Sequence, residues 1–357
     1  MSNNESHNSD LLRIIHKLSI LVLILVIVIA LLPILIWKGD ALVTYFTPQP
    51  KEIAIQTELN QLPDTFWHPR DIAAVTDTSE QSKLMYGRNL IAHTALYLGP
   101  QGSVLQISNG MNCQNCHLDA GTRPFGNNYG AVFSLYPKFR ARSGTEETIY
   151  KRINDCIERS LNGRSLDSNG RELQAMKAYI AFIGSNVPKG KKGAGSGLKE
   201  LEFLSRQANP QKGQEVYIAK CASCHGAKGE GMKAPDGIEY SYPPMWGNNS
   251  YNDAAGLYRL SNFARYVKYN MPWGVNHNAP QLSDEEAWDV AAFVNSQARP
   301  HKHVPADWPN ISKKPIDHPF GPYVDSFSEL QHKYGPFKPI QAFYQSRAKS
   351  DSSIKKS

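Results

Sequence analysis

The sequence predicts an all-α chain: two tandem helical units behind an N-terminal transmembrane helix, closed by an extended C-terminal segment. Three observations carry this. Leu18 to Trp37 is an apolar run without a charge, two later stretches repeat one order of helices around the same short motif, and past Arg299 the chain fills with Pro, His and aromatic residues. At 357 residues, 41% apolar and 20% charged, the chain is long enough for two ordinary domains and too apolar to stay unfolded. Five cysteines in that length exclude a disulfide-stapled scaffold. Their odd number is more informative, because four share two identical spacings and Cys156 stands alone.

The N-terminal span comes first. Residues 18–37, with one Ser and one Pro, make a helix of about 30 Å, the thickness of a bilayer core. The run is longer than a signal-peptide core and continues into Trp37 and Lys38, so it reads as an uncleaved single-pass anchor. Arg13 and Lys17 place residues 1–17 in the cytoplasm and everything after the inner (cytoplasmic) membrane in the periplasm. The first unit occupies residues 50–188: an amphipathic segment with Gly87, Leu90 and Ile91 leads to one motif, and a helix through Met176, Tyr179 and Ile180 ends at Ser185. The second, residues 204–299, repeats this with Gly213, Val216 and Tyr217, and a closing helix ending at Ser296. Ser185 follows His117 by 68 residues and Ser296 follows His225 by 71, as in a tandem duplication. Residues 189–203, within a Gly- and Lys-rich stretch, read as a solvated linker. Residues 300–345 read as an extended wrapping segment too Pro-broken for long helices, and polar residues 346–357 as a disordered tail.

The repeated motif is Cys113-Gln-Asn-Cys116-His117 and Cys221-Ala-Ser-Cys224-His225. C-x-x-C-H attaches a c-type haem: two thiols form thioethers to the vinyl groups, and the adjacent His supplies the proximal iron ligand. Two copies in similar helical units make the fold two cytochrome c-like domains with two covalent haems. Zinc would need two further ligands per site, and only Cys156 and scattered His remain. In the second unit Met271, 46 residues after His225 and held in a turn by Pro272, is the expected distal ligand; Met232, Met245, Lys268 and His277 are its competitors. At the matching place in the first unit stands Cys156, 39 residues after His117. A lone thiol in an oxidising compartment is exposed to over-oxidation, and iron ligation shields it. The reading is therefore a His/Cys haem of low potential and a His/Met haem of higher potential.

Ser143 and Glu146 read as the capping box of a helix whose buried stripe is Ile149, Ile153, Ile157 and Leu161. Arg152, Cys156 and Ser160 share its neighbouring stripe, one turn apart. Between Arg123 and Arg164 lie eight basic and four acidic residues, over half of the formal +7 of the chain. A guanidinium fork and a hydroxyl beside a thiol suit a small sulfur dianion, and leave nucleic acid unnecessary as a partner.

The chain resembles the dihaem thiosulfate dehydrogenases, which form tetrathionate. The resemblance rests on Cys113 to Thr122 (CQNCHLDAGT), Phe139 to Gly144 (FRARSG), Arg152 to Gly163 (RINDCIERSLNG), the second haem motif and Met271-Pro272. It implies that Arg142, Arg152 and Ser160 bind thiosulfate, that Cys156 is both iron ligand and covalent partner, and that electrons leave for a cytochrome c or another respiratory acceptor. Where some relatives carry Lys before the Met, this chain has Asn270. A membrane-tethered electron carrier, tetrathionate reduction by the same chemistry in reverse, and a sulfur-carrying cytochrome serving a partner enzyme are the other readings.

Overall fold

A computed structural model of the chain describes residues 16–23, 25–26 and 66–354, with side chains as far as residue 348. Residues 1–15 of the expected cytoplasmic N-terminus and most of the expected span lie outside the described residues, as do residues 50–65 and 355–357. Residues 16–23 and 25–26 are helical and exposed; among the described residues no helix is long and apolar enough to cross a membrane.

The body from residue 66 has as its longer elements α1 (Thr78–Ala92), β1 (Lys138–Arg140), β2 (Thr145–Glu147), α2 (Ile149–Arg159), α3 (Arg171–Ile183), α4 (Pro210–Lys220), β3 (Met232–Lys233), β4 (Tyr240–Tyr242), α5 (Leu260–Asn270), α6 (Asp284–Ser296), α7 (Glu329–Tyr334) and α8 (Phe337–Ile354). Each opening helix starts where a side chain satisfies its first free amides. Asp77 accepts from Ser79 and Glu80 at α1, and Asn209 from Gln211 and Lys212 at α4.

The two units are built on the same crossing. α1 packs against α3 and α4 against α6, each time with a glycine at the closest approach. A Cβ on Gly87 would lie 2.1 Å from the Ala175 carbonyl oxygen, and one on Gly213 would lie 1.8 Å from that of Asp289. Backbones can approach so closely only where there is no side chain. Gly87→Ala and Gly213→Ala should each force the helices apart and lower stability by about 1–3 kcal/mol. A denaturation midpoint equal to the parent's would refute the contact.

Each crossing closes one apolar core. The first gathers Leu84, Leu90, Ile153, Ile157, Met176 and Ile180; the second gathers Tyr217, Phe263, Ala287, Trp288 and Val294. Leu118, next to the first motif's histidine, packs in the second core.

The described residues are helix-rich, as expected, with two short antiparallel hairpins, β1–β2 and β3–β4. The structure departs from sequence expectation in three places. Ser143 and Glu146 do not open a helix: Gly144, at φ 68°, turns the chain back so that Phe139 pairs with Glu146, and α2 starts instead at Ile149 behind the Thr148 cap. The 189–203 linker is not free in solvent. The Lys191 carbonyl accepts from the Ser134 hydroxyl (2.6 Å) and that of Gly195 from Phe125 N–H (2.8 Å) and the Asn128 amide (2.9 Å). Finally, residues 300–328 run irregularly across the body, but α7 and α8 follow, and the expected tail is helical to Ile354. Pro339 sits in the first turn of α8, where its missing N–H costs nothing, and Phe337 and Ile340 anchor that turn in the second core.

Candidate active site

Backbone geometry around the first motif fixes its histidine. The Asn112 side-chain oxygen accepts from Ala95 N–H, and the Thr94 hydroxyl accepts from Cys113 N–H, tying the motif to the short helix Thr94–Leu98 that follows α1. His117 Nδ1 lies 2.6 Å from the Asn127 carbonyl oxygen. A carbonyl only accepts, so Nδ1 carries the proton and Nε2 is left free as a ligand. The second unit repeats the device: His225 Nδ1 donates to the Pro243 carbonyl at 2.8 Å.

Above His117 lies a cavity of about 340 Å³. Cys113, Cys116 and His117 line it together with Cys156, between walls that include Leu135, Ile149, Ile153, Met176 and Ile180. A largely apolar slot with two thiols and an imidazole from one segment and a third thiol from α2 fits a c-type haem, which Cys113, Cys116 and His117 would hold. Burial pushes the Cys156 thiol up, but the Arg152 guanidinium leads the influences that bring it down to about 7.

A second cavity, of about 490 Å³, shares Cys116, His117, Arg152, Cys156 and Ser160 with the slot and extends to Arg142 and Arg159. The structure thus brings together Arg142, Arg152, Cys156 and Ser160. Arg152 and Cys156 lie on α2, Ser160 caps its C-terminus, and Arg142 comes from the β1–β2 turn. Among the described residues no carboxylate is in ion-pair contact with Arg142 or Arg152. Burial, then the charges of Arg159 and Arg152, pull the Arg142 guanidinium down to about 10. Like charges held this close favour an anion between them.

Three contributors escaped the sequence reading. Arg159, counted there only as local charge, is nine-tenths buried and forks onto Asp307 at 2.8 and 2.9 Å, while Trp308 N–H donates to the Arg142 carbonyl. The C-terminal segment therefore braces the site, by pairings some 150 residues apart that no local pattern announces. Lys192, from the supposed linker, lines both cavities, as does Arg140. Only the clustering of basic residues hinted at them.

In the second unit, Met271 caps α5 and packs, half-buried, against the core that also holds Cys221. Met245 packs half-buried against the same core, whereas the other three competitors have other occupations. Lys268 donates to the Leu282 carbonyl and pairs with Asp284, His277 stacks edge-on against Phe66 and Phe125, and Met232 is exposed. α5 also reaches the first motif, where the Tyr266 hydroxyl donates to the Asn115 carbonyl at 2.7 Å.

Residues 104–188 match the SoxA/TsdA cytochrome c domain family, and residues 210–298 match the cytochrome c family. Thiosulfate dehydrogenase from Allochromatium vinosum is 40% identical over 198 residues, 54% of this chain and 72% of that one. The protein of the same name from Psychrobacter arcticus is 38% identical over 205 residues, 57% of this chain and 61% of that one. The solved structure of thiosulfate dehydrogenase (TsdBA) from Marichromatium purpuratum, as-isolated form, superposes with a TM-score of 0.61 at 31% identity. It covers 67% of this chain and 50% of that one. The chain thus spans less than two thirds of the Psychrobacter protein and half of the Marichromatium chain. Two cytochrome c domains, each with its own C-x-x-C-H motif, hold two covalently bound c-type haems.

Proposed function

Because the chain belongs to the dihaem thiosulfate dehydrogenase family, we propose that it oxidises two thiosulfates to tetrathionate at the cavity centred on Cys156. One observation carries the reading. A half-buried thiol with a lowered pKa lines, with the motif histidine, a cavity in which Arg142 and Arg152 have no carboxylate in ion-pair contact.

The residues divide the work. Arg142 and Arg152 draw in the dianion, and the Ser160 hydroxyl adds a neutral donor. The Cys156 thiolate and the outer sulfur of one thiosulfate join in an S–S bond with loss of two electrons. The outer sulfur of a second thiosulfate then attacks the adduct at the sulfur bonded to Cys156. That bond breaks, Cys156 leaves as thiolate, and tetrathionate is released. Held by Cys113, Cys116 and His117 and by Cys221, Cys224 and His225, the two haems would supply one-electron acceptors for this oxidation. With ferricyanide as acceptor, the purified dihaem protein should convert thiosulfate to tetrathionate; two bound haems with no tetrathionate would sink the assignment.

Met271 is the ligand we assign to the second iron, supported by its place at the end of α5 in the core that holds Cys221. Met271→Ala should lower the potential of the second haem and leave both thioether attachments in place, as a redox titration reads directly. A potential equal to the parent's would remove Met271 as ligand. The hydropathy of Leu18–Trp37 supports an anchor in the inner membrane with the catalytic body in the periplasm, beside respiratory acceptors such as a cytochrome c.

A further inference from the structure

The reaction proposed above brings two dianions into one cavity, and the residues assigned so far surround only one of them. Arg152 and Ser160 sit one turn to either side of Cys156 along α2, flanking the sulfur and the anion joined to it. Two further cations line both cavities without belonging to α2: Arg140, on β1, and Lys192, from the segment between the units. Both act on Lys138, whose ammonium they depress, though less than its burial does.

Lys192 is held in place. The Ser134 hydroxyl grips the Lys191 carbonyl, and Gly193 passes so close to Trp67 that a Cβ there would lie 2.6 Å from the Trp67 Cβ. Asn128 and Phe125 fix the Gly195 carbonyl on the far side. Such a loop carries its ammonium at little further cost in ordering. Among the described residues Lys192 has no carboxylate in ion-pair contact, and the carboxylate nearest Arg140 is Glu147, at 3.8 Å. The two acids of the outer cavity are already taken: Asp155 pairs with Lys151 and Glu200 with Arg265 at 2.5 Å.

The geometry points to a second-anion subsite, formed by Lys192 and Arg140, that holds the incoming thiosulfate while its outer sulfur attacks the Cys156 adduct. The inference rests on the Cys156 chemistry proposed above. The step it serves is a redox-neutral exchange: one S–S bond forms between the two thiosulfates, the Cys156–sulfur bond breaks, and the electron pair goes to Cys156 as thiolate. Without those cations only Arg142 and Arg152 would offset the repulsion between the attacking dianion and the negative sulfonate of the adduct.

The test separates this step from electron transfer. The dihaem protein is incubated with tetrathionate until Cys156 carries the adduct completely, desalted, and mixed with increasing thiosulfate, the adduct being followed by intact-protein mass. The parent should lose it in a thiosulfate-dependent manner. Lys192→Ala should need roughly tenfold more thiosulfate for the same rate, one lost charge contact being worth about that factor, and Lys192→Arg should restore most of the loss. Arg140→Gln should act in the same direction. A Lys192→Ala protein that releases its adduct with the parent's thiosulfate dependence would overturn the subsite and leave the Cys156 assignment standing. A parent protein that forms no adduct would overturn the Cys156 chemistry, and the subsite with it.

Discussion

Cys156→Ala should abolish tetrathionate formation, by at least ~10³-fold, because it removes the sulfur that the proposed mechanism joins oxidatively to one thiosulfate and frees by exchange with the second. The loss is specific. Cys113, Cys116, Cys221 and Cys224 remain, so the variant should still carry two covalent haems and fold, since Cys156 lies on the cavity side of α2 while Ile153 and Ile157 hold that helix in the core. Mass and pyridine haemochrome spectra count the haems, and tetrathionate assays read the activity. A variant with two haems and parent-like turnover would remove the nucleophile from the mechanism.

The second large effect is expected at Arg152. Losing one partner of a half-buried interaction with a charged group costs about 1.5–3 kcal/mol, roughly a 10- to 150-fold fall in rate where it serves the reaction. Arg152→Gln keeps a donor and most of the volume but removes the charge. The sign of the pH response follows from the thiol. Burial raises the Cys156 pKa, and Arg152 is the largest of the influences that bring it down to about 7. Without Arg152 the thiol moves back up, the reactive thiolate becomes scarce at neutral pH, and the rising limb of the pH–rate profile shifts to higher pH. A profile that keeps the parent's rising limb would show that Arg152 does not set the state of the thiol.

Legibility differed from one part of the site to another. The two C-x-x-C-H segments and the Arg152–Cys156–Ser160 stripe could be read in the sequence because each is local: five consecutive residues, or three spaced by a helical turn. The crossing glycines Gly87 and Gly213 belonged to the repeated pattern for the same reason. Where reading failed, two local signals competed. Ser143 and Glu146 carry a capping-box spacing, but the left-handed Gly144 and the Arg140–Glu147 neighbourhood draw them into a hairpin, which only tertiary packing selects. The Gly/Lys composition of residues 186–198 read as solvent-loving, yet its carbonyls are bonded by Ser134, Phe125 and Asn128 across the first unit. Apolar spacing at Phe337 and Ile340 outweighed the breaker Pro339 because that residue fell in the first turn of α8.

The sequence by itself determined the chemistry: four cysteines and two histidines in haem spacing, and a fifth cysteine one helical turn from an arginine and a serine. Covalent motifs and helical periodicity are encoded over a few residues, so they survive without knowledge of the fold. Tertiary structure alone decided what surrounds that chemistry. It brought Arg142 from a hairpin and Lys192 from the segment between the units to the thiol of Cys156, and it placed Asp307 opposite Arg159 and Tyr266 against the first motif. These contacts join residues far apart in the chain, and their energies depend on burial and on which charges are left uncompensated. Those properties arise only once the chain has closed on itself.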